Sequence, residues 1–279
     1  MKLRLFKTLW GHEGGLTAAI REMREAGFTG IEGPVPADES EREAFFNELS
    51  GTPWIAEVTT CTPPGLYLPR PHASPADHLA SLTESVMKSL PGNPEFITTM
   101  AGSDSWDDDE TLRFLRAVLD LEQAIGIAIS VETHRGRPTF HPWRTKRWLD
   151  ALPDLRLTCD FSHWCVVTER LLLDEEPAIL ETCARHAWHV HGRVGYAQGP
   201  QVPDPRAPEY ENELTAHEGW WDAIWRSMQE RGFSSSTFTA ESGPDGYLHL
   251  EPFTRKPVAD LWEINRWLGQ RQLTRLQAP

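Results

Sequence analysis

The chain has 279 residues, of which 39% are hydrophobic and 24% charged, an ordinary globular composition with enough length for a substantial core. Its 41 acidic against 27 basic residues give a formal net charge of -14, which disfavours a nucleic-acid partner because an acidic surface repels a phosphate backbone. No apolar run approaches the ~20 residues that a membrane helix needs, so no membrane partner is expected.

In chain order, residues 3–9 alternate like a strand and end at Trp10-Gly11; this alternation marks a strand and not a signal peptide. Leu16, Ile20 and Met23 then stand at helical spacing over residues 16–26, closed by Gly27. Residues 28–32 form a second strand ending at Glu32-Gly33-Pro34, and a helix over 40–49 carries Phe45, Phe46 and Leu49. Residues 54–60 are strand three. A Pro-rich loop over 62–75 carries Tyr67, Arg70 and His72, and a helix over 75–90 has Ser74 at its N-cap and Pro75 at its first position. Residues 95–100 are strand four. The helix over 107–124 opens on acids that suit its dipole, and Leu112, Leu115, Val118 and Leu119 form one stripe.

Residues 127–132 are strand five, followed by a Trp-rich helix over 143–152. Strand six covers 155–159, with a helical region over 166–184 interrupted by Pro177. Strand seven covers 187–191. A helix over 220–231, strand eight over 237–241 and a helix over 257–273 complete the chain. Eight strands alternating with eight helices, without a linker-like break, predict a (β/α)8 TIM barrel as one domain over 1–279. An open doubly wound sheet fits less well, because no Gly-x-Gly-x-x-Gly follows the first strand and polar residues close many different strands.

Cys61, Cys159, Cys165 and Cys183 form no Cys-x-x-Cys pair. With Cys159 inside a strand, they read as buried free thiols in a reducing compartment, so a cytoplasmic location is expected.

The chemistry concentrates at strand ends. Strand six runs into Asp160, and His163 follows three places on. Strand five closes at Glu132, followed by His134 and Arg135. Strand seven reads Trp188-His189-Val190-His191-Gly192-Arg193, and strand eight closes at Glu241. A barrel gathers these ends at one mouth, where three carboxylates and an imidazole suit one divalent ion such as Mn2+, Zn2+ or Mg2+. His189 and His191 share parity; His191, nearer the strand's C-terminal end, is the favoured ligand, and His189 the core residue. Each member alone has an ordinary explanation, such as a Glu132 pair with Arg135 or Arg193, or a Glu241 turn cap. The joint pattern is harder to reach by accident.

The order Glu132, Asp160-x-x-His163, His189-x-His191 and Glu241 at strands five to eight resembles the xylose-isomerase-like TIM-barrel superfamily of sugar isomerases and epimerases. The resemblance implies metal ligands at Glu132, Asp160, His191 and Glu241, with His163 contacting substrate. Many members place a basic residue and then an acid after the strand-seven histidine; here Arg193 is followed by Val194. That departure bears on the substrate and not on the metal.

A divalent ion on adjacent carbonyl and hydroxyl oxygens would acidify the carbon-bound proton between them and stabilise an enediolate, with Glu132 and Glu241 as base and acid. The expected activity is a sugar or hydroxy-keto-acid isomerase or epimerase. Competing readings are a lyase of the inosose-dehydratase type, an AP-endonuclease-like phosphodiesterase, and a non-catalytic sugar-binding barrel. The nuclease chemistry would need further histidines from strands two to four and seven; His72 and His78 are available upstream, but the ends of strands two and three offer only Glu32 and Glu57. Arg135 and Arg193 are candidates to hold a carboxylate, phosphate or hydroxyl, and Trp10, Trp106, Tyr67 and Trp164 to stack on a sugar ring. No Gly-rich phosphate cradle is evident, which favours an unphosphorylated substrate. The long loop over 195–218 reads as a lid. A homo-oligomer is a possible assembly.

Overall fold

The computed structural model describes residues 1–63, 66–244 and 246–277. Residues 64 and 65 of the Pro-rich loop, and 278–279 of the expected single domain, lie outside the described residues. Eight parallel strands close into a barrel in the order β1 to β8: Lys2–Thr8, Gly30–Gly33, Trp54–Thr59, Ile97–Met100, Ile129–Glu132, Arg156–Cys159, Ala187–Gly192 and Ser235–Ala240. The pairing of β1 with β8, from Lys2 opposite Ser235 to Lys7 opposite Ala240, closes the ring.

The helices outside the barrel are α1 (Leu16–Glu25), α2 (Glu39–Leu49), α3 (Pro75–Ser89), α4 (Asp108–Ile125), α5 (Pro142–Ala151), α6 (Ser162–Thr168), α7 (Leu172–Glu175), α8 (Pro177–His186), α9 (Glu211–Glu230) and α10 (Leu261–Gln277). Their starts are built locally. In α4 the Asp107 carboxylate accepts the Glu110 amide at 2.8 Å while Glu110 reaches back to the Asp107 amide, and Gly126 ends the helix at φ 71°, which a residue with a Cβ adopts at a cost. Ser74 and Asp77 make the same reciprocal cap on α3. Among the described residues, no helix is long and apolar enough to cross a membrane.

Period-two alternation decides what each strand puts inside. At the bottom, Phe6, Ile55 and Phe96 pack into an apolar plug. Above it, Thr158 Oγ1 bonds Thr98 Oγ1 at 2.7 Å and Ser130 Oγ at 2.8 Å across three strands. The next positions along β2, β3 and β5 to β8 carry acids and His191 to the top. The outward residues join Trp54, Trp148, Trp221, Trp225 and the aliphatic faces of the helices in one continuous core.

Three local expectations change. The helical region after strand six is three pieces, because Glu169 ends α6 in the left-handed conformation at φ 54° and Pro177 starts α8 anew. The helix expected from 220 begins at Glu211, since Leu214, His217, Trp221, Ile224 and Met228 form one buried stripe and Glu211 and Glu213 favour the N-terminal dipole. The final helix starts at Leu261 and not at 257, because residues 250–257 form an excursion bridged from Leu250 to Pro257. Cys61, Cys159, Cys165 and Cys183 are buried free thiols.

Candidate active site

The ends of β5 to β8 bring Glu132, Asp160, His191 and Glu241 together. One donor atom from each lies within 4.8 Å of the others, and all four side chains are buried. His191 Nδ1 is 3.1 Å from Glu241 Oε2 and 3.6 Å from Glu132 Oε1. A register shift in β7, where Leu157 pairs with Ala187 but Thr158 with His189, accommodates Trp188 as an extra residue and leaves both histidines facing the barrel interior.

The opposite ring nitrogen of His191 is held from below. Nε2 lies 2.8 Å from Glu32 Oε1, and Glu32 also takes His189 Nε2 at 3.1 Å and the Thr239 hydroxyl. His189 is anchored a second time through Nδ1 and Thr237 Oγ1 at 2.7 Å. These contacts occupy His189 within the barrel and fix the ring of His191.

Asp160 is bound from several sides. Its backbone is locked to Thr133 by reciprocal 2.8 Å bonds, its Oδ1 accepts the Ser162 amide at 3.0 Å, and its Oδ2 pairs with Arg193 Nη2. Arg193 Nε donates to Ser162 Oγ at 3.0 Å and Nη2 to His163 Nε2 at 2.8 Å, and the guanidinium lies 3.8 Å from Glu241. His163 stands 3.7 Å from Asp160 and 3.9 Å from Glu132, and meets the His134 ring at 4.0 Å between centroids with the planes tilted by 51°.

Packing this many charges in a dry site moves their proton affinities. Burial pushes the Glu132 carboxyl up to about 7, against the pull of His191. Burial also raises Asp160, against Arg193. For His191 burial works downward, but Glu241, Glu32 and Glu132 outweigh it and hold the imidazole well above its ordinary value. Glu32, despite burial, is held below the carboxylate range by His191 and His189. Burial, followed by the charges of His134 and Arg193, keeps His163 well below the usual histidine value, and burial with Arg193 does the same to His134.

This donor set fits a divalent cation. His191 Nδ1 is buried, points among three carboxylates and has no hydrogen-bond partner; with Glu32 keeping the proton on Nε2, a cation that displaced the Nδ1 proton would find that nitrogen's lone pair directed at the cluster. Three carboxylate oxygens and one imidazole match a borderline-hard divalent ion.

No protein-family model matches the sequence, and no curated protein matches it. Solved structures do match. A D-allulose 3-epimerase from Methylomonas sp., crystallised with D-allulose, is 13% identical with a TM-score of 0.62 over 98% of this chain and 97% of that one. A xylose isomerase-like TIM barrel protein from Mycobacterium smegmatis, in complex with magnesium, is 13% identical with a TM-score of 0.61 over 99% and 98%. A probable 3-DHS dehydratase from Bacillus anthracis is 12% identical with a TM-score of 0.57 over 96% and 98%. The chain has the xylose-isomerase-like TIM-barrel fold. At these identities the likeness is one of fold.

In this xylose-isomerase-like barrel the acids open into a cavity of about 490 Å3, walled by Glu57, Glu132, Glu241, Arg193, His134 and Trp10, with Leu9, Met100, Tyr67 and Tyr247 also on its surface. A larger groove of about 820 Å3 lies outside the barrel along Lys7, Glu22 and Trp262, and it contains none of the four clustered residues. Trp10 packs on the backbone of Gly243, where a Cβ would come within 2.0 Å of its ring. Its ring meets Tyr247 edge-on at 5.1 Å. Arg135 reaches Tyr67 Oη at 3.2 Å and lies 4.6 Å over Tyr247, so it braces the cavity roof and does not line the cavity.

Several expected residues stand elsewhere. Trp106, expected to stack on a sugar ring, packs edge-on to His78 at 5.1 Å and Phe114 at 5.2 Å and does not line the cavity. Trp164 is buried against Phe161, with its Nε1 donating to Thr139 O. The expected lid over 195–218 is not the roof. Residues 211–218 belong to α9, Gln201 bonds the backbone of Gly243, and Val202 N bonds Val194 O. Tyr67 and Tyr247, from the loops after β3 and β8, cover the cavity instead. His72 is exposed, and His78 is engaged by Thr60 Oγ1 at 2.6 Å and Gly102 N at 3.1 Å, so neither joins the acids.

Sequence reasoning gave Glu32 and Glu57 no role in the isomerase site, and singled out neither Tyr247 nor Ser162. The parity of β2 and β3 was a signal for both glutamates, since each stands at an inward position near a strand end. Tyr247 carries no such signal, because its place depends on how the loop after β8 folds back.

Proposed function

We propose that this chain is a divalent-metal-dependent sugar or hydroxy-keto-acid isomerase or epimerase. Glu132, Asp160, His191 and Glu241 would hold the ion. The observation that carries this reading is that Glu132 and Glu241 flank His191 Nδ1, which makes no hydrogen bond, and that both line the cavity at the barrel mouth. The chemistry supplied by such an ion is Lewis acidity toward adjacent carbonyl and hydroxyl oxygens of the substrate.

The chain's own groups then move the proton. Glu132 lines the cavity beside the ion's place, where a carboxyl can take a proton from a substrate carbon and return it. Glu241, three strands away, faces the same space from the other side. Removal by one and return by the other inverts a carbon; return to the neighbouring carbon isomerises. Arg193, His163 and His134 would hold substrate oxygens, and Trp10 with Tyr67 and Tyr247 would cover the apolar face of a sugar and exclude water. Arg135 acts through Tyr67 and Tyr247. The four buried thiols suit a reducing compartment such as the cytoplasm.

The test is solvent deuterium entry at carbon, read by NMR over a panel of ketoses and hydroxypyruvate with the manganese-loaded protein. Exchange into at least one substrate is expected. Exchange accompanied by loss of a hydroxyl would make the enzyme a lyase. No exchange on any substrate, with cleavage of abasic-site DNA, would replace this reading by the phosphodiesterase.

A further inference from the structure

One carboxyl on the cavity wall has no partner. On β3, Ile55 enters the apolar plug, and the same alternation sends Glu57 and Thr59 to the cavity surface. Glu32 is held by two histidines and a threonine, and Asp160 by Ser162 and Arg193. Among the described residues, no hydrogen bond and no ion pair reaches Glu57. Its electrostatic surroundings are unfriendly to a second negative charge. Burial and the carboxylates of Glu241 and Glu32 push its proton affinity well above the usual range, with His191 opposing.

The position of β3 in the ring gives this carboxyl a direction. β3 stands four strands from β7, so Glu57 faces His191 and Arg193 across the mouth. A small molecule held by the groups at the ends of β5 to β8 extends toward β3 with its remaining carbons. The same cavity surface carries the apolar Leu9, Pro34 and Met100, with Thr59 as a second polar residue of β3. A carboxylate accepts and a protonated carboxyl also donates, so in either state this group can bond a hydroxyl, which does both. A carboxyl left unmatched in such a wall costs free energy in every complex that does not satisfy it.

We infer that Glu57 hydrogen-bonds a hydroxyl of the substrate remote from the reacting carbonyl, and so selects polyhydroxylated ketoses over shorter or deoxygenated substrates. This rests on the isomerase reading only in taking the cavity as the substrate site. A short keto acid such as hydroxypyruvate, with no hydroxyl beyond the reacting carbons, leaves Glu57 unsatisfied.

The experiment is equilibrium binding to the manganese-loaded protein by calorimetry. Ketopentoses and ketohexoses, including D-allulose, are ranked first; the tightest binder is then compared with its monodeoxy derivatives on wild type, Glu57→Gln and Glu57→Leu. Wild type is expected to lose about tenfold in affinity when one particular distal hydroxyl is removed. In Glu57→Leu the same deletion costs less than about twofold, while the penalties at the other hydroxyls stay as in wild type. Glu57→Gln, which keeps a donor and an acceptor, retains part of the penalty and controls for folding. Equal penalties in wild type and Glu57→Leu at every position, or no binding of any ketose to wild type, overturn the inference. Deuterium exchange with a Glu57-independent pattern leaves the isomerase reading standing without this one, and a Glu57-dependent pattern without exchange does the reverse.

Discussion

His191 is held between two carboxylates, with Glu32 Oε1 2.8 Å from Nε2 and Glu241 Oε2 3.1 Å from Nδ1. The lower contact sets the tautomer and the upper one faces the donor cluster. A histidine anchored this way is a stronger ligand than a free one, because its ring is already oriented and its basicity raised. Glu32→Gln is therefore expected to weaken manganese binding by about 10–100-fold without touching the ion. Competition against a chelator measures this, and an unchanged affinity would show that Glu32 serves only the fold.

Asp160 needs a more careful substitution than the other ligands. It neutralises Arg193, which is itself fully buried. Asp160→Ala leaves that guanidinium without its carboxylate, a loss of roughly 3–5 kcal/mol for a buried pair broken on one side. Asp160→Asn keeps an acceptor for the Ser162 amide and is expected to fold, with manganese bound at least about tenfold more weakly than by wild type. Metal analysis and thermal unfolding on both variants separate the two effects. Full, stoichiometric metal in Asp160→Asn would remove this residue from the ligand set.

Glu132→Gln and Glu241→Gln keep length and one ligating oxygen but cannot accept a proton. Each is expected to retain much of its metal and to lose deuterium exchange by at least about a hundredfold. The two need not fall equally, since each addresses one side of the reacting carbon. Exchange at the wild-type rate in both would place the base elsewhere in the cavity.

His217 gives the protein an acid-sensitive joint away from the cavity. Its Nδ1 donates to Glu213 O at 2.8 Å and its Nε2 accepts the Gly195 amide at 3.2 Å, an arrangement that only the neutral ring satisfies. Burial lowers its pKa from 6.5 to about 4. The folded value lies below the unfolded one, so the unfolded chain takes up a proton first as the pH drops. This contribution is intact above pH 6.5 and is lost progressively down to about pH 4, on the order of 3 kcal/mol in all. Denaturant unfolding of wild type and His217→Gln between pH 4 and 8 should show the wild-type curve falling more steeply. Parallel curves would contradict it.

The barrel was legible because its signals are local. Each strand is a short apolar run closed by a polar residue, and each helix carries a stripe and a stop; Asp107, Ser74 and Gly126 do in the structure what their residue types suggest. Glu132, Asp160, His191 and Glu241 could be grouped because strand parity and barrel closure bring them to one mouth. What escaped depends on contacts distant in sequence. The loop over 195–218 looked like a lid from its prolines and glycines, while the stripe that draws residues 211–218 into α9 became visible only beside Trp221 and Trp225. Trp106 looked like a rim aromatic from its place after a strand, yet His78, far back in α3, takes its ring. Glu57 entered only as the residue at a strand end where a nuclease would need a histidine, since nothing in a sequence says that a carboxylate will be left without a partner.

The plug of Phe6, Ile55 and Phe96 has a consequence for entry and exit. It closes the barrel at its lower end, so among the described residues the cavity lies wholly on the side of the strand ends, where Tyr67 and Tyr247 stand. A molecule that reaches the acids meets the plug below them and has no passage onward through the barrel axis. It therefore departs toward the strand ends, on the same side from which the next one comes.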